Sequence, residues 1–299
     1  MIWTQWSDLK IPDGLQHLAT NGVTPDATDL AKITFYVPAY MYGAAALTPI
    51  KDMSSLKVIQ SPNAGVDDVI PLLPKGVTLC NAAGVHDAST AELALGLAIA
   101  SRRGFYEFAQ NQSKGQWLHT SNASLTDSKV AIVGYGNIGK TIARMLEGFD
   151  IDVTSFSRSG KDGALTMENF DHLLPTFDVI ILIVPLNDQT RHFMSAKRLS
   201  TMKDGASLIN VARGAIIDTD ALVSELNSGR ISCALDVTDP EPLPDGHPLW
   251  NVSNCLITPH TADTPAQVTR MLAERISVNV KAFCTDGVMV GLVDKELGY

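Results

Sequence analysis

From residue 129 onward the chain repeats one pattern: a short, nearly unbroken apolar run, a helical or turn segment, then another apolar run. The runs fall at residues 130 to 134, 152 to 156, 178 to 184, 206 to 211, 231 to 237 and 255 to 258. A strand with one face in water alternates polar and apolar side chains. These runs do not alternate, so both of their faces must be covered. Strands buried on two faces and joined by crossovers form a parallel, doubly wound α/β sheet. The first hundred residues read as a smaller α/β unit, with β-rich runs at 32 to 37, 56 to 60 and 77 to 80. Each is followed by turn formers. Residues 87 to 112 then carry one long helical pattern with few charges before Arg102. Another helical pattern, at 264 to 284, follows the last strand.

The first apolar run of the repeating part leads directly into "GYGNIGKTIARML", residues 134 to 146. Gly134 permits a tight turn, Gly136 lets the backbone approach a phosphate, and Gly139 lets the helix pack close to the strand. The free N–H groups and partial positive charge of the helix start then face a pyrophosphate. In isolation such a glycine pattern is an ordinary turn. Between a strand and a helix, with another strand following, it predicts a dinucleotide site.

An acidic residue about 20 positions further on would accept the ribose hydroxyls of NAD. The chain instead reads "DVTSFSRSG" at 152 to 160. NADP adds a phosphate to that ribose. Ser157 removes the repulsion an aspartate would exert, Arg158 offers charge-assisted bonds, and Ser159 offers another donor. Lys161 adds a more mobile charge. The turn therefore favours NADP as cofactor, with NAD as the alternative.

The formal net charge of −9 argues against general affinity for nucleic acid or an anionic membrane surface. Cys80, Cys233, Cys255 and Cys284 show neither a CxxC pair nor metal-ligand spacing, and read as free thiols in the core. The N-terminus lacks the basic-then-apolar layout of a signal peptide, and no uncharged apolar run approaches the roughly 20 residues of a membrane span. A cytoplasmic protein is the expectation.

Ligands of a parallel sheet bind at the carboxyl ends of its strands. There the chain places Arg213 in "NVARGAIID", then Asp236, Asp239 and Glu241 in "DVTDPEPL", and His260 in "TPHTA". Singly, these are a loop charge, turn residues and a capping or core histidine. Together, at strand ends of one nucleotide-binding sheet, they describe a site.

The motifs "GYGNIG", "VPLNDQTRHF", "INVARGAIID", "ALDVTDPEPL" and "ITPHTA", in that order, resemble the D-isomer-specific 2-hydroxyacid dehydrogenases. The likeness is strong from about residue 60 onward and faint before it. It implies two doubly wound domains with a cleft between them, a flavodoxin-like substrate domain and a Rossmann cofactor domain. The expected division is residues 1–98 for the first part of the substrate domain, 99–284 for the cofactor domain, and 285–299 for a C-terminal return. The implied reaction is reversible hydride transfer between NAD(P)H and a 2-oxo acid.

By this resemblance Arg213, Glu241 and His260 are the catalytic trio. Protonated His260 would deliver a proton to the carbonyl oxygen, with Glu241 favouring its charged form. Arg213 would clamp the substrate carboxylate with its planar fork of donors. Asp236 would orient the nicotinamide carboxamide. Further cofactor contacts are implied at Asn137, Ile138, Val184, Pro185, Thr190, Val211 and Ala212, and at Thr90 in "STAEL". The "SPNAGVDDV" stretch matches the family's substrate loop, with N–H groups at Ala64, Gly65 and Val66 holding substrate together with Arg213 and His260.

A short chain with a cationic ribose loop looks most like the glyoxylate/hydroxypyruvate reductase branch. The formate dehydrogenase branch replaces the "TPH" turn and the glutamate, both of which stand here. A non-catalytic NAD(H) sensor or scaffold of the same fold is the alternative reading, and a regulatory nucleotide-binding domain is another. The resemblance also implies a homodimer built on the cofactor domains. In residues 104 to 120, Phe105, Tyr106, Phe108, Trp117 and Leu118 stand in an otherwise polar stretch.

Overall fold

The computed structural model describes residues 1–20 and 22–298. The chain folds as two compact units, residues 1–86 with 263–299, and residues 87–262.

The first unit is built on five parallel strands: β1 (Ile2–Thr4), β2 (His17–Ala19), β3 (Phe35–Tyr36), β4 (Val58–Gln60) and β5 (Thr78–Cys80). Their order, β2-β1-β3-β4-β5, is that of flavodoxin-like sheets. The runs expected at 32 to 37, 56 to 60 and 77 to 80 contain β3, β4 and β5. β1 and β2 escaped the sequence reading, and β2 is not buried. A short helix, α1 (Ala27–Leu30), is capped by the Asp26 carboxylate, which accepts the Asp29 N–H.

The second unit opens with α2 (Asp87–Arg103) and α3 (Phe105–Ser113). These were expected as one helix. Gly104 ends the first of them in the left-handed region (φ 66°), and Asn122 donates its side-chain N–H to the Arg103 carbonyl at 3.0 Å. A glycine there, with an orphan carbonyl satisfied by a side chain, is a helix stop.

Seven parallel strands follow: β6 (Lys129–Val133), β7 (Asp152–Ser157), β8 (Leu165–Thr166), β9 (Val179–Leu182), β10 (Ser207–Asn210), β11 (Ser232–Leu235) and β12 (Cys255–Ile257). Their order, β12-β11-β10-β9-β6-β7-β8, is the Rossmann order with one strand added at the far edge. Between them lie α4 (Asn137–Leu146), α5 (Phe170–Leu173), α6 (Ala196–Thr201) and α7 (Thr219–Asn227). Each of the six expected runs contains a strand or overlaps one to within one residue; two-residue β8 is the addition. Burial on two faces is realised literally. Ala131, Val133, Ile180 and Leu182 enter one apolar cluster, and their neighbours Val130, Ile132, Val179 and Ile181 enter another.

The units divide at other places than the sequence suggested. α2 belongs with the second unit from its first residue, because Ala91, Ala94, Leu97 and Ala98 pack with Val130, Ile132 and Ile142. The last helix, α8 (Leu272–Cys284), belongs with the first. Its Leu272, Ile276 and Val280 fill a face of the first sheet with Ile2, Phe35, Val37 and Val58. A wider π turn over Gln267–Met271 precedes α8 inside the expected 264 to 284 helix. In the tail Val293 donates its N–H to Leu79 beside β5, while Tyr299 lies outside the described residues. Among the described residues no helix is long and apolar enough to cross a membrane.

Candidate active site

α4 begins at Asn137 with Gly136 as its cap residue and no side chain satisfying its first N–H groups. The first intrahelical bond runs from Lys140 N–H to the Gly136 carbonyl at 2.9 Å, so the N–H groups before it remain for a ligand. The three glycines differ in what surrounds them. A Cβ on Gly134 (φ 112°) would lie 2.3 Å from the Ile183 carbonyl oxygen, and one on Gly139 would lie 2.0 Å from the Gly134 carbonyl oxygen. Around Gly136 the space is open. Two glycines thus let backbone pack on backbone, and the middle one leaves room for phosphate, as the motif requires. The residues present fit a dinucleotide. Held there through its pyrophosphate, it would bring the nicotinamide that supplies or accepts a hydride.

Beyond this turn, Ser157 ends β7 and its Oγ accepts the Gly160 N–H at 3.0 Å; Arg158 and Ser159 are exposed. Val184 and Pro185 follow β9, half-buried. Thr190 is engaged in its own loop, its Oγ donating to the Pro185 carbonyl at 2.7 Å and accepting the Asn187 N–H at 2.9 Å. Val211 and Ala212 are buried beyond β10, and Thr90 is buried on α2.

β10, β11 and β12 are neighbours, so the segments leaving their carboxyl ends lie side by side. They bring Arg213, Asp236 with Glu241, and His260 together. His260 Nδ1 lies 2.6 Å from Glu241 Oε1. An ionised carboxylate only accepts, so Nδ1 carries a hydrogen and donates it, which leaves Nε2 to handle a transferable proton. Burial pushes the Glu241 carboxyl up. The His260 hydrogen bond and charge, the Thr238 N–H and the Arg213 guanidinium outweigh that and hold it below the ordinary carboxylate range. Glu241 is therefore charged at neutral pH and fixes the imidazole in both orientation and tautomer.

The His260 backbone is left-handed (φ 52°), an uncommon state for a residue with a Cβ. Its N–H donates to the Asp236 carbonyl at 2.8 Å and to the Thr258 carbonyl at 3.0 Å. Buried Asp236 also accepts Thr258 Oγ–H at 2.6 Å and the Thr261 N–H at 2.9 Å through the same carboxylate oxygen. Asp236 thus braces the turn that aims His260, whatever its other oxygen binds. Arg213 donates from one guanidinium nitrogen to the Ala212 carbonyl at 2.8 Å.

Sequence reasoning missed three supporting residues. Thr258 and Thr261 flank the histidine and hold Asp236. Gly214 follows Arg213, and a Cβ on it would lie 2.0 Å from the Thr238 carbonyl carbon and oxygen. The flanking hydroxyls of "TPHT" were visible as letters, but the contact of Gly214 with a segment from another strand was not.

The expected substrate loop lies in the first unit, after β4. There Asn81 donates its side-chain N–H to the Ala64 carbonyl at 3.0 Å, Gly65 is half-buried, and the Val66 side chain is buried.

Chemically, Arg213 offers a fixed cation, and His260 with Glu241 offers a proton donor whose partner stays charged. This set suits reversible proton delivery to an oxygen that gains charge beside an anionic substrate.

Residues 95–262 match the family model for the NAD-binding domain of D-isomer-specific 2-hydroxyacid dehydrogenases. A glyoxylate reductase from Thermofilum pendens is 32% identical over 81% of this chain and 76% of its own. The crystal structure of a D-isomer-specific 2-hydroxyacid dehydrogenase from Xanthobacter autotrophicus Py2, in complex with NADPH and MES, superposes with a TM-score of 0.80. It is 26% identical and covers 100% of this chain and 98% of its own. An NADPH-dependent glyoxylate/hydroxypyruvate reductase from Sinorhizobium meliloti, in complex with NADP and sulfate, gives a TM-score of 0.77 at 26% identity, covering 89% of this chain and 86% of its own. The family match spans more than half of the sequence and ends with the second compact unit. The chain therefore belongs to the D-isomer-specific 2-hydroxyacid dehydrogenases, as an NAD(P)-dependent enzyme of that family.

Proposed function

We propose that this enzyme interconverts a small 2-oxo acid of the glyoxylate or hydroxypyruvate type and the corresponding D-2-hydroxy acid, with NADPH as its preferred reductant. The observation that carries the reading is the 2.6 Å His260–Glu241 pair at the strand ends that also present Arg213. In this reading His260 Nε2 delivers the proton, Arg213 clamps the carboxylate, and the N–H groups of Ala64, Gly65 and Val66 are substrate-binding groups of the first unit. Asp236 orients the carboxamide, the glycine turn with Asn137 and Ile138 takes the pyrophosphate, and Val184, Pro185, Val211 and Ala212 line the cofactor's path. Thr190 supports that path through its loop, and Thr90 contributes from α2. The substrate domain corresponds to the first compact unit and the cofactor domain to the second. Names of relatives support the substrate class, and the Ser157-Arg158-Ser159 turn supports NADPH.

A homodimer is part of the same proposal. Trp117 is 97% exposed and Leu118 is 57% exposed in the single chain, with Phe105 nearby in sequence also exposed. Soluble monomers seldom leave such side chains in water without a partner. A cytoplasmic location also belongs to this reading, and four cysteines without a disulfide suit a reducing compartment.

Initial rates with glyoxylate, hydroxypyruvate, pyruvate and 2-oxoisocaproate, each with NADPH and NADH, test the proposal. Glyoxylate or hydroxypyruvate with NADPH should give the highest kcat/KM. Turnover of none of the four acids would overturn the reading.

A further inference from the structure

An ion pair fastens the loop after β7 to α4. Lys140 Nζ lies 2.5 Å from Asp162 Oδ2, and the two side chains are 46% and 63% exposed. A lone exposed pair contributes little to stability, so stability does not account for it. Its location is more telling. Lys140 directly follows Gly139 on the first turn of the helix whose start takes the pyrophosphate. Asp162 adopts a left-handed conformation (φ 56°) a few residues beyond Arg158.

The loop between them is compact. Ser157 Oγ accepts the Gly160 N–H at 3.0 Å, and a Cβ on Gly160 would meet Thr166 Cγ2 at 3.0 Å. Residues 157 to 163 read "SRSGKDG", so Asp162 is the one carboxylate of a loop that otherwise carries Arg158 and Lys161. An aspartate beside the adenosine ribose is what disfavours a 2′-phosphate. This chain omits it at the strand end, then carries one slightly later and covers it with a cation from α4. The Lys140 hydrogen bond and charge, with Lys161, hold the Asp162 carboxyl below its ordinary value, so it is charged and in need of that cover.

Resting on the NADPH reading above, we propose that Lys140 is a cofactor-specificity residue acting through Asp162. It occupies and neutralises the only acid of the ribose loop, so that the loop with its covering lysine turns two net positive charges toward the 2′-phosphate instead of one. Removing Lys140 both subtracts a charge and exposes a carboxylate. Both changes penalise NADPH, and neither touches a group that distinguishes NADH.

The test measures dissociation constants for NADPH and NADH by fluorescence titration of the full-length protein, with thermal melting to establish folding. Lys140→Met should weaken NADPH about five- to twentyfold while changing NADH less than about twofold. Adding Asp162→Asn to Lys140→Met should restore NADPH binding to within about threefold of the unmutated protein, since the acid no longer needs a cover. Equal weakening of both cofactors by Lys140→Met would make Lys140 a pyrophosphate contact and overturn the proposal. So would a double variant no better than Lys140→Met alone. The parent reading fails separately, if the unmutated protein binds both cofactors alike and Arg158→Ala changes neither. Even then, an NADPH-to-NADH ratio shifted by Lys140→Met supports the masking role, and an unshifted one overturns it.

Discussion

His260 Nδ1 donates to Glu241 Oε1 across 2.6 Å, which leaves the ring nitrogen facing away from the carboxylate to exchange a proton. His260→Ala should lower kcat by roughly 10²–10⁴. NADPH affinity, read by fluorescence titration, should barely change. A variant with near-normal kcat would remove His260 from the proton path.

Replacing Glu241 tests the same pair through pH. The Glu241 carboxyl lies below the ordinary carboxylate range, so in the unmutated enzyme the partner charge persists well into acid and is lost only as the pH falls through that lowered value. Glu241→Gln removes the charge at every pH. Protonating Glu241 in the unmutated enzyme and replacing it with glutamine remove the same charge, so the fall in reduction on the acid side should be missing from the variant, whose kcat is lower throughout. A kcat/KM profile for 2-oxo acid reduction in which the variant keeps the acid-side fall would separate Glu241 from it.

Gly214 and Thr238 bring two strand-end segments into backbone contact. A Cβ on Gly214 would lie 2.0 Å from the Thr238 carbonyl and 2.5 Å from the Asp239 N. Neither atom belongs to a flexible side chain, so the backbone itself has to move. Gly214→Ala should destabilise the protein by about 1–3 kcal/mol and lower kcat, because Arg213 and the Glu241 segment lie on the two sides of the contact. Urea unfolding and steady-state rates equal to those of the unmutated protein would show that the segments part without consequence.

Acid stability has a specific contributor in Asp178. Its carboxylate accepts the Lys129 N–H at 2.9 Å and a Lys203 Nζ hydrogen at 2.6 Å. Burial raises its pKa, but these contacts and the charges of Lys203 and Arg102 bring it below the ordinary value. A depressed carboxyl stabilises the fold above its unfolded pKa, and that contribution disappears as the pH falls through the folded one. Asp178→Asn should therefore cost about 1 kcal/mol at neutral pH, discounted for the exposed lysine, with the difference fading in acid. A difference in unfolding free energy that grows on acidification would contradict the assignment.

The second sheet was readable because residues such as Val130 to Val133 and Val179 to Leu182 are apolar on both faces, a pattern that only two-sided burial produces. That Arg213, Glu241 and His260 come together was readable because they follow three adjacent strands. What stayed hidden depends on contacts between distant segments. β2 gains its strand character from pairing rather than composition. The break at Gly104 was legible only as a glycine until Asn122 was seen capping Arg103. The membership of α8 follows from where Leu272, Ile276 and Val280 pack, and their periodicity gives a face without naming its partner. The Asp162–Lys140 pair joins residues 22 apart in sequence and left no local signal.

The segment after α3 makes the assembly testable. Trp117, at 97% exposure, stands outside any helix or strand, with Leu118 beside it. A tryptophan buries on the order of 150–250 Å² when covered, enough to anchor an interface. If this segment seats on a second copy, Trp117→Glu with Leu118→Glu should shift sedimentation equilibrium at micromolar concentration from dimer to monomer. The variant should fold, because neither side chain contributes to the core of its own chain. Its NADPH affinity per chain should hold, since the glycine turn and the ribose loop lie elsewhere in the sequence. An unmutated protein that sediments as a monomer would dispose of the dimer, and a variant that remains dimeric would move the interface to another surface.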